Sequence, residues 1–126
     1  MYLLDTNILL WWFNRHKGLG PKTQEIIRDP NNVIFVSSVS IWEISIKKGK
    51  GNLIVPDNFK DFLEHEDFTE LNITHEHASH ILKLPQHHAD PFDRMLISQA
   101  VVENLTLIST DNKISQYSVK SHDGHL

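Results

Sequence analysis

Apolar residues along this chain fall into two patterns: short continuous runs, and longer stretches recurring at helical intervals. The runs predict strands at Tyr2–Leu4, Val33–Ser37, Thr69–Ile73 and Thr106–Ser109. Between them the spacing predicts helices over Asn7–Asn14, Pro21–Asp29, Val39–Lys48, Asp57–Glu66, Thr74–Lys83 and Pro91–Glu103. Pro21 and Pro91 suit a first helical turn, where the missing N–H costs nothing. Strands alternating with helices imply an α/β fold around a mostly parallel sheet. Ligands of such sheets bind beyond the carboxyl ends of the strands, so polar residues at strand exits are the first to weigh.

Several of those residues are acids. Asp5 ends the first run, Asp111 closely follows the last, and Glu43 stands on the helix entered through "VSSVSIWE". Asp90 and Asp93 open "DPFDRMLISQAVV", just before the last strand. Each also has a structural role open to it. Asp5, Asp90 and Asp111 can cap helical turns by accepting their free amides. Ser40 and Glu43 have capping-box spacing, and Glu43 can pair with Lys47 one turn on. Asp93 is harder to account for, because it shares a helix face with Leu96, Ile97 and Ala100. A carboxylate on a core-facing side is costly unless it is bonded, paired or bound to metal.

The length of 126 residues and 40% hydrophobic content fit one domain spanning 1–126, without repeats or linkers. A net charge of −4 gives no basic signature of nucleic-acid binding, though a cluster of acids can mask basic patches elsewhere. The chain has no cysteine, which removes thiolate metal sites and disulfides. The run Ile8–Phe13 is too short to span a membrane and lacks a basic leader, so the expected setting is cytoplasmic.

"YLLDTNILLWW", "VSSVSIWEISIKKGKG", "HHADPFDRMLISQA" and "LISTD", in that order, resemble a PIN-domain ribonuclease. More narrowly, they resemble a VapC-type toxin of a bacterial toxin–antitoxin module. The resemblance covers nearly the whole chain and implies a three-layer sandwich with a central parallel sheet flanked by helices. It carries Asp5, Glu43, Asp93 and Asp111 onto the family's acidic metal site and puts Thr6, Asn7 and Ser38 beside it. Asp90 remains a helix cap with an indirect part. The resemblance further implies an RNA substrate, a cognate antitoxin seated in an apolar groove, and a homodimer. Family members close with a short strand, which places Val119 in such a strand and leaves the polar tail beyond it frayed.

Clustered carboxylates repel, and Mg2+ or Mn2+ relieves that repulsion through oxygen ligands. RNA phosphates call for nearby cations, for which Lys47, Lys48 and Arg94 are the candidates, with Lys50, Arg15 and Lys17 further out. The histidines show no zinc pattern, and His77 and His80 read as solvent-exposed. Leu10, Trp11, Trp12 and Phe13 spread around their helix, either buried within the monomer or offered to a partner. Two other functions compete with the nuclease. One is a PIN-like module that binds RNA or protein without catalysis. The other is a haloacid-dehalogenase-type phosphatase, which requires a second Asp where this chain has Asn7.

Overall fold

A computed structural model describes residues 1–126. Strands β1 (Tyr2–Leu4), β2 (Ile34–Ser37), β3 (Thr69–Leu71), β4 (Thr106–Ser109) and β5 (Ser121–Asp123) form one all-parallel sheet in the order β3-β2-β1-β4-β5. The helices are α1 (Thr6–Asn14), α2 (Pro21–Arg28), α3 (Ser38–Gly49), α4 (Phe59–His65), α5 (His75–His80) and α6 (Pro91–Val102). The central strand is β1, whose Leu4 stands in register with Val36 on one side and Ile108 on the other.

The period of two along the strands sends neighbouring side chains to opposite faces and so builds two cores. Leu4, Val36 and Ile108 pack with Ile8, Leu9, Leu19, Ile27, Ile44 and Phe59 from α1 to α4 and their connections. Leu3 and Leu107 pack with Val39, Leu96, Ile97, Ala100 and Ile114 on the other face. A sheet covered on both faces gives the expected three layers. Leu10, Trp11, Trp12 and Phe13 all pack, partly buried, against the first core. Trp12 Nε1 donates to Glu66 Oε1 at 3.1 Å, and the Phe13 ring meets Phe59 and Phe62 edge-on. The apolar girth of α1 is therefore largely used within its own chain.

The tail departs from expectation. Val119 lies before β5, which is formed instead by the polar residues Ser121–Asp123. Beyond it, Gly20 N–H donates to Gly124 O and Thr23 N–H to Leu126 O, both at 2.9 Å. A β-carbon on Gly20 would fall 2.0 Å from the Leu126 carbonyl carbon, so glycine admits the tail over the start of α2 by its size. No helix is long and apolar enough to cross a membrane.

A candidate metal centre at the carboxyl edge of the sheet

Where β1, β2 and β4 end, a cleft of about 340 Å3 is lined by Asp5, Thr6, Asn7, Glu43, Lys47, Asp90, Asp93, Thr110 and Asp111, with Leu10 and Leu53. Each acid arrives by a local device. Asp5 N–H bonds Ile108 O at 3.1 Å, which pins it to the sheet edge. Asp5 Oδ1 accepts from Ile8 N–H at 2.8 Å and caps α1, so capping and a place in the cleft belong to one carboxylate. Asp111 follows β4 in the same way: its Oδ1 accepts from Lys113 N–H at 2.9 Å and caps the 3-10 turn Asn112–Gln116. Asp90 caps α6, accepting from Phe92 N–H at 2.8 Å and Asp93 N–H at 3.3 Å. That cap orients the first turn from which Asp93 enters the cleft.

Glu43 arrives differently. The cap of α3 is Ser37, whose Oγ accepts from Val39 N–H at 3.0 Å; Ser40 lies fully buried inside the helix. The expected Ser40–Glu43 capping box is absent, because the helix starts earlier and Ser40 is left facing α1. There its Oγ lies 3.0 Å from Thr6 Oγ1, while the Thr6 hydroxyl donates to Glu43 Oε1 at 2.7 Å. Lys47 donates to Glu43 Oε2 from one turn on. Glu43 is 5% exposed, so these two donors compensate a buried charge.

The electrostatics follow from burial and crowding. Burial raises the Asp5 carboxyl to about 6, with Glu43 and Asp111 adding repulsion against the Ser109 and Ile8 hydrogen bonds that hold it down. Burial likewise pushes Asp93 up to about 7, with repulsion from Asp90, Asp5 and Glu43 outweighing attraction from His88. Burial also presses upward on Asp111, but the Lys113 N–H and His88 outweigh it and hold that carboxyl below its usual range. The Lys47 ammonium is held above its usual range by its bond to Glu43. An all-oxygen donor set with two carboxyls kept from ionising freely fits a hard divalent cation, which would relieve the same repulsion.

Not every expected residue joins this cleft. Asn7 does, its Nδ2 donating to Thr110 Oγ1 at 3.3 Å, and Thr6 does. Ser38 is not among the residues that line the cleft; the hydroxyl that reaches Glu43 is that of Thr6, with buried Ser40 behind it. Lys48 points outward and pairs with exposed Asp57 at 3.0 Å. Arg94 is no surface cation: it is 8% exposed and donates to Pro85 O at 2.8 Å and Ile81 O at 3.2 Å. It sits about 100° round the helix from Asp93, facing the preceding loop. Its guanidinium ties that loop to α6 and does not line the cleft.

Two histidines also depart from expectation. His77 is fully buried and forms a reciprocal cap with Thr74 at the start of α5. His88 is buried beside the acids, with Nε2 2.7 Å from Asp111 Oδ2 and 3.0 Å from Asp93 Oδ2. One ligand atom each from His88, Asp93 and Asp111 lie within 4.8 Å of one another. The only sequence signal for His88 is its position two residues before the Asp90 cap, in "HADPFD".

The sequence pattern described as PIN domain matches residues 2–120. No curated protein matches the chain in sequence. Among solved structures, the fold is similar to VapBC2 from Rickettsia felis bound to a DNA fragment from its promoter, with TM-score 0.73 and 20% identity over 96% of each chain. It is similar to a toxin–antitoxin complex from Klebsiella pneumoniae, with TM-score 0.67 and 21% identity over 98% of each chain. It is also similar to VapBC-1 from nontypeable Haemophilus influenzae, with TM-score 0.67 and 18% identity over 99% of this chain and 98% of the other.

Proposed function

The chain belongs to the PIN-domain family, and from that premise we propose that it is a divalent-metal-dependent ribonuclease, the toxin of a toxin–antitoxin module. The observation that carries the reading is the convergence of Asp5, Glu43, Asp93 and Asp111 on one cleft at the carboxyl edge of the sheet. Asp5 and Asp93 are the principal ligands proposed for Mg2+ or Mn2+, with Glu43 and Asp111 binding directly or orienting water. Such a cation supplies water activation and charge neutralisation at the phosphodiester.

The chain's own residues do the rest. Thr6 holds Glu43, and the Asp5 and Asp90 caps fix the carboxylates of two helix entries before substrate arrives. Preorganisation of this kind avoids reordering charged side chains during the reaction. Lys47, 44% exposed at its side chain on the cleft wall beside Glu43, is the cation best placed to meet a phosphate. The phosphatase alternative lacks its second acid, since position 7 is Asn.

The partners proposed are RNA, an antitoxin and a second copy of the chain, in a cytoplasmic setting. The antitoxin follows from the likeness to solved toxin–antitoxin complexes. The homodimer is supported by an apolar hollow of about 210 Å3 between Trp42, Ile73, Phe92 and Met95, where Trp42 is 58% and Ile73 41% exposed. Light scattering at tens of micromolar should give the dimer mass, and a monomer there would refute the pairing. Incubating purified protein with single-stranded RNA in Mg2+, and again in excess EDTA, tests the activity. Cleavage only with metal is expected. Intact RNA in both would leave the binding-only module, and cleavage in EDTA would remove the metal from the mechanism.

A further inference from the structure

We infer that His88 is a positioning residue for the acidic centre, its Nε2–H holding Asp111 in place beside Asp93, and that it is not a ligand of the cation. The inference rests on the reading of the acids as a metal site. The other ring nitrogen decides between the two roles. His88 Nδ1 lies 3.1 Å from Asp90 N, and a backbone N–H can only donate. Nδ1 therefore presents its lone pair, and the ring proton belongs to Nε2. That proton goes to Asp111 Oδ2 at 2.7 Å, and Asp93 Oδ2 lies 3.0 Å from the same nitrogen without accepting from it.

A ligand role demands the reverse. An Nε2 bound to a cation offers it a lone pair, which moves the proton to Nδ1 and sets it head-on against the Asp90 N–H. The close spacing of His88, Asp93 and Asp111 is thus better matched to a ring that donates to Asp111 than to three donors around an ion. The ring joins places that otherwise lie apart in the chain, the Asp90 cap of α6 through Nδ1 and the exit of β4 through Nε2. It sets the Asp111 carboxylate next to Asp93 and occupies one Asp111 oxygen. Asp93 Oδ1 makes no hydrogen bond and stays free for the cation, while Asp111 Oδ1 keeps its bond from Lys113 N–H. Groups that orient ligands in this way typically tune metal affinity by about 10–100-fold.

The tautomer can be read directly by long-range 1H–15N correlation on 15N-labelled protein, first in EDTA and then in Mg2+, with the His88 signals identified by their loss in His88→Gln. The expected result is a proton on Nε2 and none on Nδ1, unchanged when Mg2+ is added. A proton on Nδ1, or loss of the Nε2 proton on adding Mg2+, would overturn the inference. Two variants separate the functions of the ring. His88→Gln sets an amide donor near the place of Nε2, while His88→Asn sets an acceptor near the place of Nδ1 without a donor to the acids. Mg2+ affinity by calorimetry, without RNA, should hold within about threefold in Gln and fall about tenfold or more in Asn. Equal losses, or better binding in Asn, would refute the positioning role. Wild-type protein that binds no Mg2+ would instead refute the metal reading of the acids, a distinguishable outcome.

Discussion

Asparagine at position 5 keeps the cap and removes the charge, so Asp5→Asn separates what the fold needs from what the chemistry needs. Asn Oδ1 can still accept the Ile8 N–H that Asp5 Oδ1 accepts at 2.8 Å. In the metal-free protein, burial raises the Asp5 carboxyl from 3.8 to about 6. Its folded pKa lies above its unfolded one, so the associated stability is fully present below 3.8 and lost as pH rises through 6. A rise of that size corresponds to about 3 kcal/mol, which the ionised Asp5 costs the metal-free fold at pH 8. Asn escapes that cost. For 126 residues a kcal/mol corresponds to about 4 °C, so Asp5→Asn should melt up to about 10 °C higher than wild type in EDTA at pH 8. At pH 4 the gap should nearly close. Saturating Mg2+ should raise the wild-type midpoint and leave the variant's almost unmoved, because only wild type binds it tightly. Melts followed by circular dichroism at both pH values, with and without Mg2+, make the comparison, and RNA cleavage should be lost throughout. A variant no more stable than wild type at pH 8, or equally favoured at pH 4, would refute the reasoning.

Mg2+ affinity measured by calorimetry should rise about twentyfold from pH 6 to pH 8 and then flatten, as Asp93, at about 7, and Asp5, at about 6, give up their protons; a pH-independent affinity would contradict it. Glu43→Gln keeps the Thr6 bond and leaves the Ser37 cap untouched. Loss of the screened Lys47 pair should cost at most about 0.5 kcal/mol, so the melting midpoint should stay near wild type while Mg2+ affinity and cleavage fall together. Unchanged cleavage at low Mg2+ would return Glu43 to a structural role. Arg94→Ala should cost about 3 kcal/mol in denaturant titration by stranding the Pro85 and Ile81 carbonyls, and a loss below about 1 kcal/mol would contradict its role as a tie.

What the sequence made legible is what local pattern controls. Apolar runs and helical spacing locate four of the five strands and all six helices to within a few residues at most ends. The carboxyl-end rule then collects the four acids, with Asp93 marked out by its place on the face of Leu96, Ile97 and Ala100, all three of them buried. The misses come from contacts between distant segments. His88 reaches Asp111 across 23 positions, which nothing in "HHAD" announces. Arg94 adjoins Asp93 in sequence, but the helical turn aims it at the loop instead of the cleft. Strand β5 is held by backbone pairing to β4, which is blind to side-chain polarity, so "SHD" carries no strand signal. The Ser37 cap stands three positions before the expected Ser40 box, although the helix itself begins only one residue before the expected Val39.

The place of β1 at the middle of the sheet has a consequence for the protein during its own synthesis. One of its neighbours, β2, is made soon after it; the other, β4, comes about a hundred residues later and carries Asp111 on its exit. At about 5–20 residues per second, the ribosome needs roughly 5–20 s to travel from Asp5 to Asp111. Throughout that interval the emerging chain has no closed sheet edge, no Ile108 carbonyl to hold Asp5, and an incomplete set of acids. A chain interrupted before Asp111 therefore has no complete cleft, and the cell that makes it has those seconds before the first intact copy can assemble one.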